Sequence, residues 1–312
     1  MELYKWEPET SADKDYPMVV VSGDLIYANG KSIYIPNRVD FNPGWGQSFR
    51  SVQTSQIMKP VPVLLDVTWF SWTEDTFYSG CFELPKEKMA EMFKKGFISP
   101  HTGKRKTYSN VMLGFAPGGE IAVWVGGDGI QEEVAYFKAK KADISWKRIL
   151  DNEDVSRQEY ITMTLEESIG REKMDKLAKY GIPYGRWQGL RKRYPWTPLV
   201  EVKDPVIMWV DYYNGEAEFA DFKRGVEVKE NRAVPEHVML DWMYQGKKLS
   251  TDIDFDEQEI FAAFAKFAEI KADDPVKLKF HFHEPSRMVD VSLINSKFEL
   301  ELQHVTFKTY KL

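Results

Sequence analysis

Apolar and polar residues alternate in short runs along most of this chain. Val63, Leu65, Val67 and Trp69 interleave with Leu64, Asp66 and Thr68. That period of two predicts a strand with unlike faces. Asn29-Gly30 and Asn214-Gly215 each separate two such runs, and the pair predicts a hairpin with positive φ angles in a type I′ turn. A helical period replaces the alternation in few places. Met89, Met92 and Phe93 form one stripe, with Pro85 in the first turn and Gly96 as the stop. Ile260, Phe261, Phe264, Phe267 and Ile270 form another, starting at Asp254 with Glu257 three residues on. A third, Ile161, Leu165 and Ile169, begins at the capping pair Ser156 and Glu159 and closes at Gly170. A further helix, Arg171 to Tyr180, ends at Gly181.

The order of these elements repeats. Pro60 to Trp72 aligns with Ala233 to Tyr244, placing Leu65 and Asp66 on Leu240 and Asp241, and Trp69 on Tyr244. Phe82 to Phe93 lies without gaps on Ile253 to Phe264. Ile121, Val123 and Val125 match Val289, Val291 and Leu293; Val111, Leu113 and Phe115 match Leu278, Phe280 and Phe282. The pattern predicts an α+β fold of two tandem two-layer units, each a mainly antiparallel sheet with one helix on a face. The expected boundaries are 16–145 for the first unit, 146–203 for a helical connector and 204–312 for the second unit. Packing of the units would cover the remaining sheet faces.

Composition narrows the function. The 312 residues carry 42 Lys+Arg against 48 Asp+Glu, net −6, which gives no general hold on nucleic acid. Residues 204–312 hold 14 Lys+Arg and 21 Asp+Glu, net −7, and the remainder 28 and 27, net +1. An acidic second unit suits a basic protein partner; a solvated surface is the plainer reading. No run reaches the length of a membrane span. The opening residues have no apolar signal-like core, so the chain reads as cytoplasmic, or as periplasmic or lipid-anchored if a leader precedes it. One cysteine excludes an intrachain disulfide and Cys-rich zinc sites, and Cys81 is expected to pack as a buried, inert residue.

Candidate chemistry is sparse, and no cofactor or catalytic set is visible. His281 and His283 leave one strand on the same side, as two metal ligands would, with His237, His304, Glu284 or Asp290 to complete them; simple alternation opposite Phe280 and Phe282 explains them without a metal. Asp128, in a Gly-rich loop, is one carboxylate where a cation site needs several. Asp252 and Asp256 lie in an acidic run at a helix start, where negative charge offsets the helix dipole. Trp45, in a loop of turn residues, is either exposed or a plug. Trp72, beside Glu74 and Asp75 at a hairpin tip, approaches the surface, and exposed tryptophans with nearby acids suit a sugar ring or a protein hot spot.

The run from Leu65 to Pro85, the stretch TYSNVMLGFAPGGEIAVWVGG and Arg193 to Trp196 resemble a bacterial family, domain of unknown function 2931. The resemblance spans roughly Tyr16 to Trp196 and brings no reaction with it. It implies envelope lipoproteins for many members. For those encoded near secreted toxins it implies inhibitor or immunity roles. Together these readings point to a non-catalytic binding protein. The partner surface is expected at the acidic second unit and at the loops of Trp45, Trp72, Glu74 and Asp75. A carboxylate-dependent hydrolase of envelope carbohydrate, and a carrier of small ligands, are the alternatives.

Overall fold

A computed structural model describes residues 2–51, 57–152, 154–227, 229–270, 274–283 and 288–312. Strand outweighs helix, 46% against 21%, and the pairing is mainly antiparallel, so the fold is α+β. The chain divides into two compact units, Met1–Gln188 and Gly189–Leu312. The boundary therefore differs from the expected one: residues 146–188 belong to the first unit, and 189–203 open the second. With that boundary the second unit holds 18 Lys+Arg and 22 Asp+Glu, net −4, and the first 24 and 26, net −2. Acidity is thus shared between the units.

The first unit contains β1 (Glu7–Ala12), β2 (Met18–Ile26), β3 (Ser32–Tyr34), β4 (Leu64–Ser71), β5 (Thr76–Glu83), α1 (Lys86–Lys95), β6 (Asn110–Ala116), β7 (Glu120–Gly127), β8 (Ile130–Lys138) and α2 (Arg157–Tyr180). It has two sheets where one was expected. The first runs β5-β4-β2-β3, all antiparallel, with Lys140–Lys141 on the edge of β5. The second runs β8-β7-β6-β1, with β1 parallel to β6. The strands after the helix pair with the chain's first strand rather than with the β2–β5 meander. That arrangement was hidden because Pro8 lies inside β1, and proline argues against a strand.

The second unit contains β9 (Trp196–Glu201), β10 (Pro205–Tyr212), β11 (Ala217–Asp221), β12 (Pro235–Tyr244), β13 (Lys247–Asp254), α3 (Glu257–Glu269), β14 (Val276–His283), β15 (Met288–Ile294), β16 (Glu299–Glu301) and β17 (Thr306–Lys311). Its first sheet runs β17-β13-β12-β10-β11. Its second runs β9-β14-β15-β16, again with one parallel pair, β9 beside β14. The expected proline turn between β14 and β15, at 284–287, lies outside the described residues, as does Glu284.

Register sharpens the comparison. Val111, Leu113 and Phe115 face Val125, Val123 and Ile121, as Leu278, Phe280 and Phe282 face Leu293, Val291 and Val289. In the hairpins before the helices, Leu65 faces Phe82 and Trp69 faces Tyr78, while Val238 faces Ile253 and Trp242 faces Leu249. With Phe82 laid on Ile253, Trp69 falls on Trp242 and Leu65 on Val238. The alignment of Trp69 with Tyr244 is therefore out by two. Ser71 and Thr76 are joined by four residues, whereas Tyr244 and Lys247 are joined by two. Both ladders also slip one residue beside the tryptophan, between Val20 and Ser22 and between Pro205 and Ile207.

Turn chemistry differs from expectation at the Asn-Gly pairs. Only the glycines have positive φ, 79° at Gly30 and 83° at Gly215. The amides of Gly30 and Gly215 donate to the carbonyls of Tyr27 and Tyr212, and Tyr27 and Tyr212 donate to Lys31 and Glu216. These are three-residue loops ending in a glycine bulge, which keeps the hairpin but not the type I′ turn. Two positive φ angles in succession occur instead at Asp128-Gly129 and Gln245-Gly246.

One aromatic contact between the two sheets recurs in both units, and in the first Phe82 also stacks on Phe137 at 4.7 Å. Trp69 lies 5.2 Å from Phe115, and Trp242 lies 5.2 Å from Phe282, all four rings being buried. The helix closes a second contact: Phe93 against Tyr4 and Phe264 against Tyr194, both at 5.2 Å. Each unit also holds a buried cation beside a tryptophan. Lys59, 4% exposed, sits 5.7 Å from the Trp6 ring, and Arg232, 2% exposed, sits 5.7 Å from Trp196. Glu7 pairs with Lys59 at 3.3 Å, and Glu218 with Arg232 at 3.2 Å. Burial works to raise the Glu218 carboxyl, but Lys229 and Arg232 outweigh it and hold it below the usual range.

Capping follows the sequence closely. Pro85 and Gly96 flank α1. Ser156 and Glu159 form a complete capping box, and Gly170, with φ 76° and ψ 162°, breaks α2 where the stripe ends. At α3 the cap is Asp256, whose side chain accepts from the Glu259 amide, because β13 continues to Asp254. Ile161 of α2 packs on Val19, Val21, Phe70, Trp72 and Phe77, so the outer face of the first sheet is covered within its own unit.

Truncating either tryptophan, Trp69→Ala or Trp242→Ala, is expected to lower the unfolding free energy by about 3–5 kcal/mol, read by denaturant titration. A methyl group at Gly114 would lie 2.4 Å from the Trp124 ring and 3.1 Å from Trp45. Gly114→Ala is therefore expected to cost about 1–3 kcal/mol in the same assay.

Candidate functional site

The residues singled out in the sequence do not converge. At the tip between β4 and β5, Trp72 opens a short 3-10 turn and is 2% exposed, contrary to the expected surface position. Its indole N–H donates to Asp40 Oδ1 at 2.8 Å beneath α2. Burial pushes the Asp40 carboxyl above the usual range, against the pull of that hydrogen bond. Glu74 accepts from the hydroxyls of Tyr78 (2.7 Å) and Tyr184 (3.1 Å) and from the Gly118 amide (3.1 Å). Burial, then Glu74, drives the Tyr78 hydroxyl well above its ordinary value. Asp75, at φ 48°, pairs with Arg157, whose guanidinium lies 5.0 Å from the Trp146 ring. This tip is a clasp that holds the following segment against the sheet.

Trp45 plugs the outer side of the second sheet. Its ring meets Trp124 edge-on at 5.1 Å and Trp187 at 6.4 Å, over Met112 and Ala122. Asp128 is the first residue of a tight turn and accepts from Lys106 Nζ (2.8 Å) and Ser99 Oγ (2.5 Å). Hydrogen bonding to Lys106, then to Ser99, lowers its pKa, so its charge is already neutralised locally. Cys81 is exposed, not buried, because it shares the outward phase of Ser79 and Glu83 and lies opposite Asp66.

A denser constellation occupies the outer face of the second unit's first sheet. Cross-strand register places Phe219, Trp209, Met239, Asp252 and Lys308 in one row. The next row holds Ala217, Asp211, His237, Asp254 and Thr306. Trp209, Phe219 and Met239 are half-buried, and the two rings are 4.8 Å apart. His237 Nδ1 is 3.3 Å from Asp211 Oδ2, and Nε2 is 3.7 Å from Asp252 Oδ1. Donation from the His237 ring to Asp211 raises the His237 pKa over the opposing effect of burial, with Asp211, Asp254 and Asp252 adding charge. Such a face offers apolar ring area beside three carboxylates, a chemistry that accepts a cationic side chain.

Of the residues proposed from sequence, Asp252 belongs to this constellation, and so does His237, which was offered only as a third metal ligand; Asp256 serves the α3 cap. Asp211, Trp209 and Phe219 were missed. Alternation marks each of them as outward, but only the pairing of β10 with β11 and β12 brings them together. In the second sheet, Glu201, His281 and Asp290 lie in one cross-strand row, with His283 two residues along. His281 Nδ1 is 2.9 Å from Glu201, His283 Nε2 is 2.6 Å from Asp290, and the imidazole centroids are 4.8 Å apart. His237 stands in the other sheet beside Asp211, and His304 stands against Glu259.

No curated protein and no solved structure matches the chain. No helix among the described residues is long and apolar enough to cross a membrane. The family model "Protein of unknown function (DUF2931)" matches residues 1–185, ending three residues before the first unit does. The second unit lies beyond that match. On this match over more than half its length, the chain belongs to the DUF2931 family.

Proposed function

We propose that this chain is a non-catalytic binding protein, an inhibitor or immunity-type partner of a basic bacterial protein, and that the second unit docks it. One observation carries the reading. Trp209, Phe219 and Met239 form a half-buried apolar strip bordered by Asp211, Asp252 and Asp254. Rigid aromatic area with carboxylates around it matches an interface centre that takes an Arg or Lys and repels acidic surfaces. The clasp at Glu74 and Asp75 and the plug at Trp45 are occupied by internal contacts and are not part of this surface.

Descent supports a division of labour. We infer that both units come from one duplicated ancestor. Support lies in the shared order of elements, the same parallel pair in the second sheet, and the tryptophan-phenylalanine contact at 5.2 Å in each. In the first unit α2 lies on the outer sheet face, through contacts that start from Ile161. The second copy carries the aromatic and acidic rows on its counterpart.

The test is affinity capture followed by calorimetry with the captured protein once purified. One basic protein is expected at 1:1 with the wild-type chain, and Trp209→Ala is expected to weaken it by at least about 2 kcal/mol, roughly thirtyfold. Equal binding by Trp209→Ala and by Asp211→Asn/Asp252→Asn would overturn the surface; no stoichiometric partner would overturn the function. Protonated His237 adds positive charge to an acidic face. Affinity is therefore expected to fall as pH drops through the His237 pKa, which Asp211 holds above its ordinary value. In Asp211→Asn that midpoint moves to lower pH.

A further inference from the structure

The outer face of the second unit's other sheet carries its own chemistry. Three strands bring Glu201, His281 and Asp290 into one row, and the pleat sets His283 on the same side as His281. Each imidazole has its own carboxylate, Glu201 for His281 at 2.9 Å and Asp290 for His283 at 2.6 Å. All four side chains are a little under half exposed, between 45% and 48%. Two imidazoles bound to one ion, with metal–nitrogen bonds of about 2.0–2.1 Å and angles of about 90–110°, hold their ring centres about 4.5–5.2 Å apart. The observed separation of 4.8 Å lies inside that interval.

We propose that His281 and His283 form a surface site for a divalent transition-metal ion, with Glu201 and Asp290 orienting the two rings. Among the described residues no three or more His, Cys, Asp or Glu side chains converge to hold a metal, so the site is a two-imidazole one completed by water. Imidazole donors suit copper(II), nickel(II) and zinc(II), and copper(II) binds tightest by the general order of these ions. A carboxylate beside each ring fixes its tautomer and orientation. Register puts Gly114 at the place of His281, Ala116 at that of His283 and Ala122 at that of Asp290. There the first unit is covered by Trp45 and Trp124. The polar row is therefore a property of the second unit alone and is not required to build the fold. This inference stands apart from the docking surface, which uses the other sheet.

Titration of the full-length chain with copper(II), nickel(II) or zinc(II) in a calorimeter tests it, with electron paramagnetic resonance on the copper form. One ion per chain is expected, bound through two nitrogens and most tightly for copper(II). His281→Ala or His283→Ala is expected to weaken binding at least tenfold. Glu201→Gln or Asp290→Asn should weaken it roughly tenfold, and His304→Ala should not change it. Both histidines are exposed, so the variants keep the wild-type circular dichroism. No uptake by the wild-type chain, or equal uptake by the His281→Ala/His283→Ala double variant, would overturn the site.

Discussion

Each unit depends on a tryptophan at the centre of its first sheet pressing on a phenylalanine of its second. Trp69 and Phe115, and Trp242 and Phe282, come from strands far apart in sequence, and their contact joins the two sheets of the unit. A large ring buried between sheets contributes apolar area and excludes the small voids that two twisted surfaces otherwise leave. The one-residue slip in the ladder beside each tryptophan bends the strand at that point.

The second constraint is the strand that opens each unit. Tyr4, Trp6 and Pro8 recur as Tyr194, Trp196 and Pro198. The tyrosine reaches the helix phenylalanine, the tryptophan lies by the buried cation, and the proline stands in the parallel pair, opposite Val111 or Leu278. A buried Lys or Arg tolerates its desolvation only with a carboxylate and a ring face beside it. That requirement ties the opening strand to the segment before β4 or β12 and closes the unit on itself.

With the inner faces committed to packing, the outer faces are where the units differ. The first unit spends its outer surface on internal contacts, through α2, Trp45 and the Glu74–Tyr184 clasp. The second displays paired rows of aromatic, acidic and imidazole side chains on exposed strands. Similar inner packing in the two units thus goes with two different kinds of outer surface.

Local physics was legible in the sequence. The capping box at Ser156, the stops at Gly96 and Gly170, and the helices at Met89 and Ile260 all follow from side chains a few residues apart. The class of fold and the family followed as well. What escaped is everything that depends on distant partners. Pro8 and Pro198 concealed two strands whose partners lie about a hundred and about eighty residues on. Trp72 read as exposed because α2, which buries it, is a separate segment. Asp211 met His237, and Glu201 met His281, only through strand register, which fixes side-chain neighbours across a sheet and leaves no periodic trace in the chain itself.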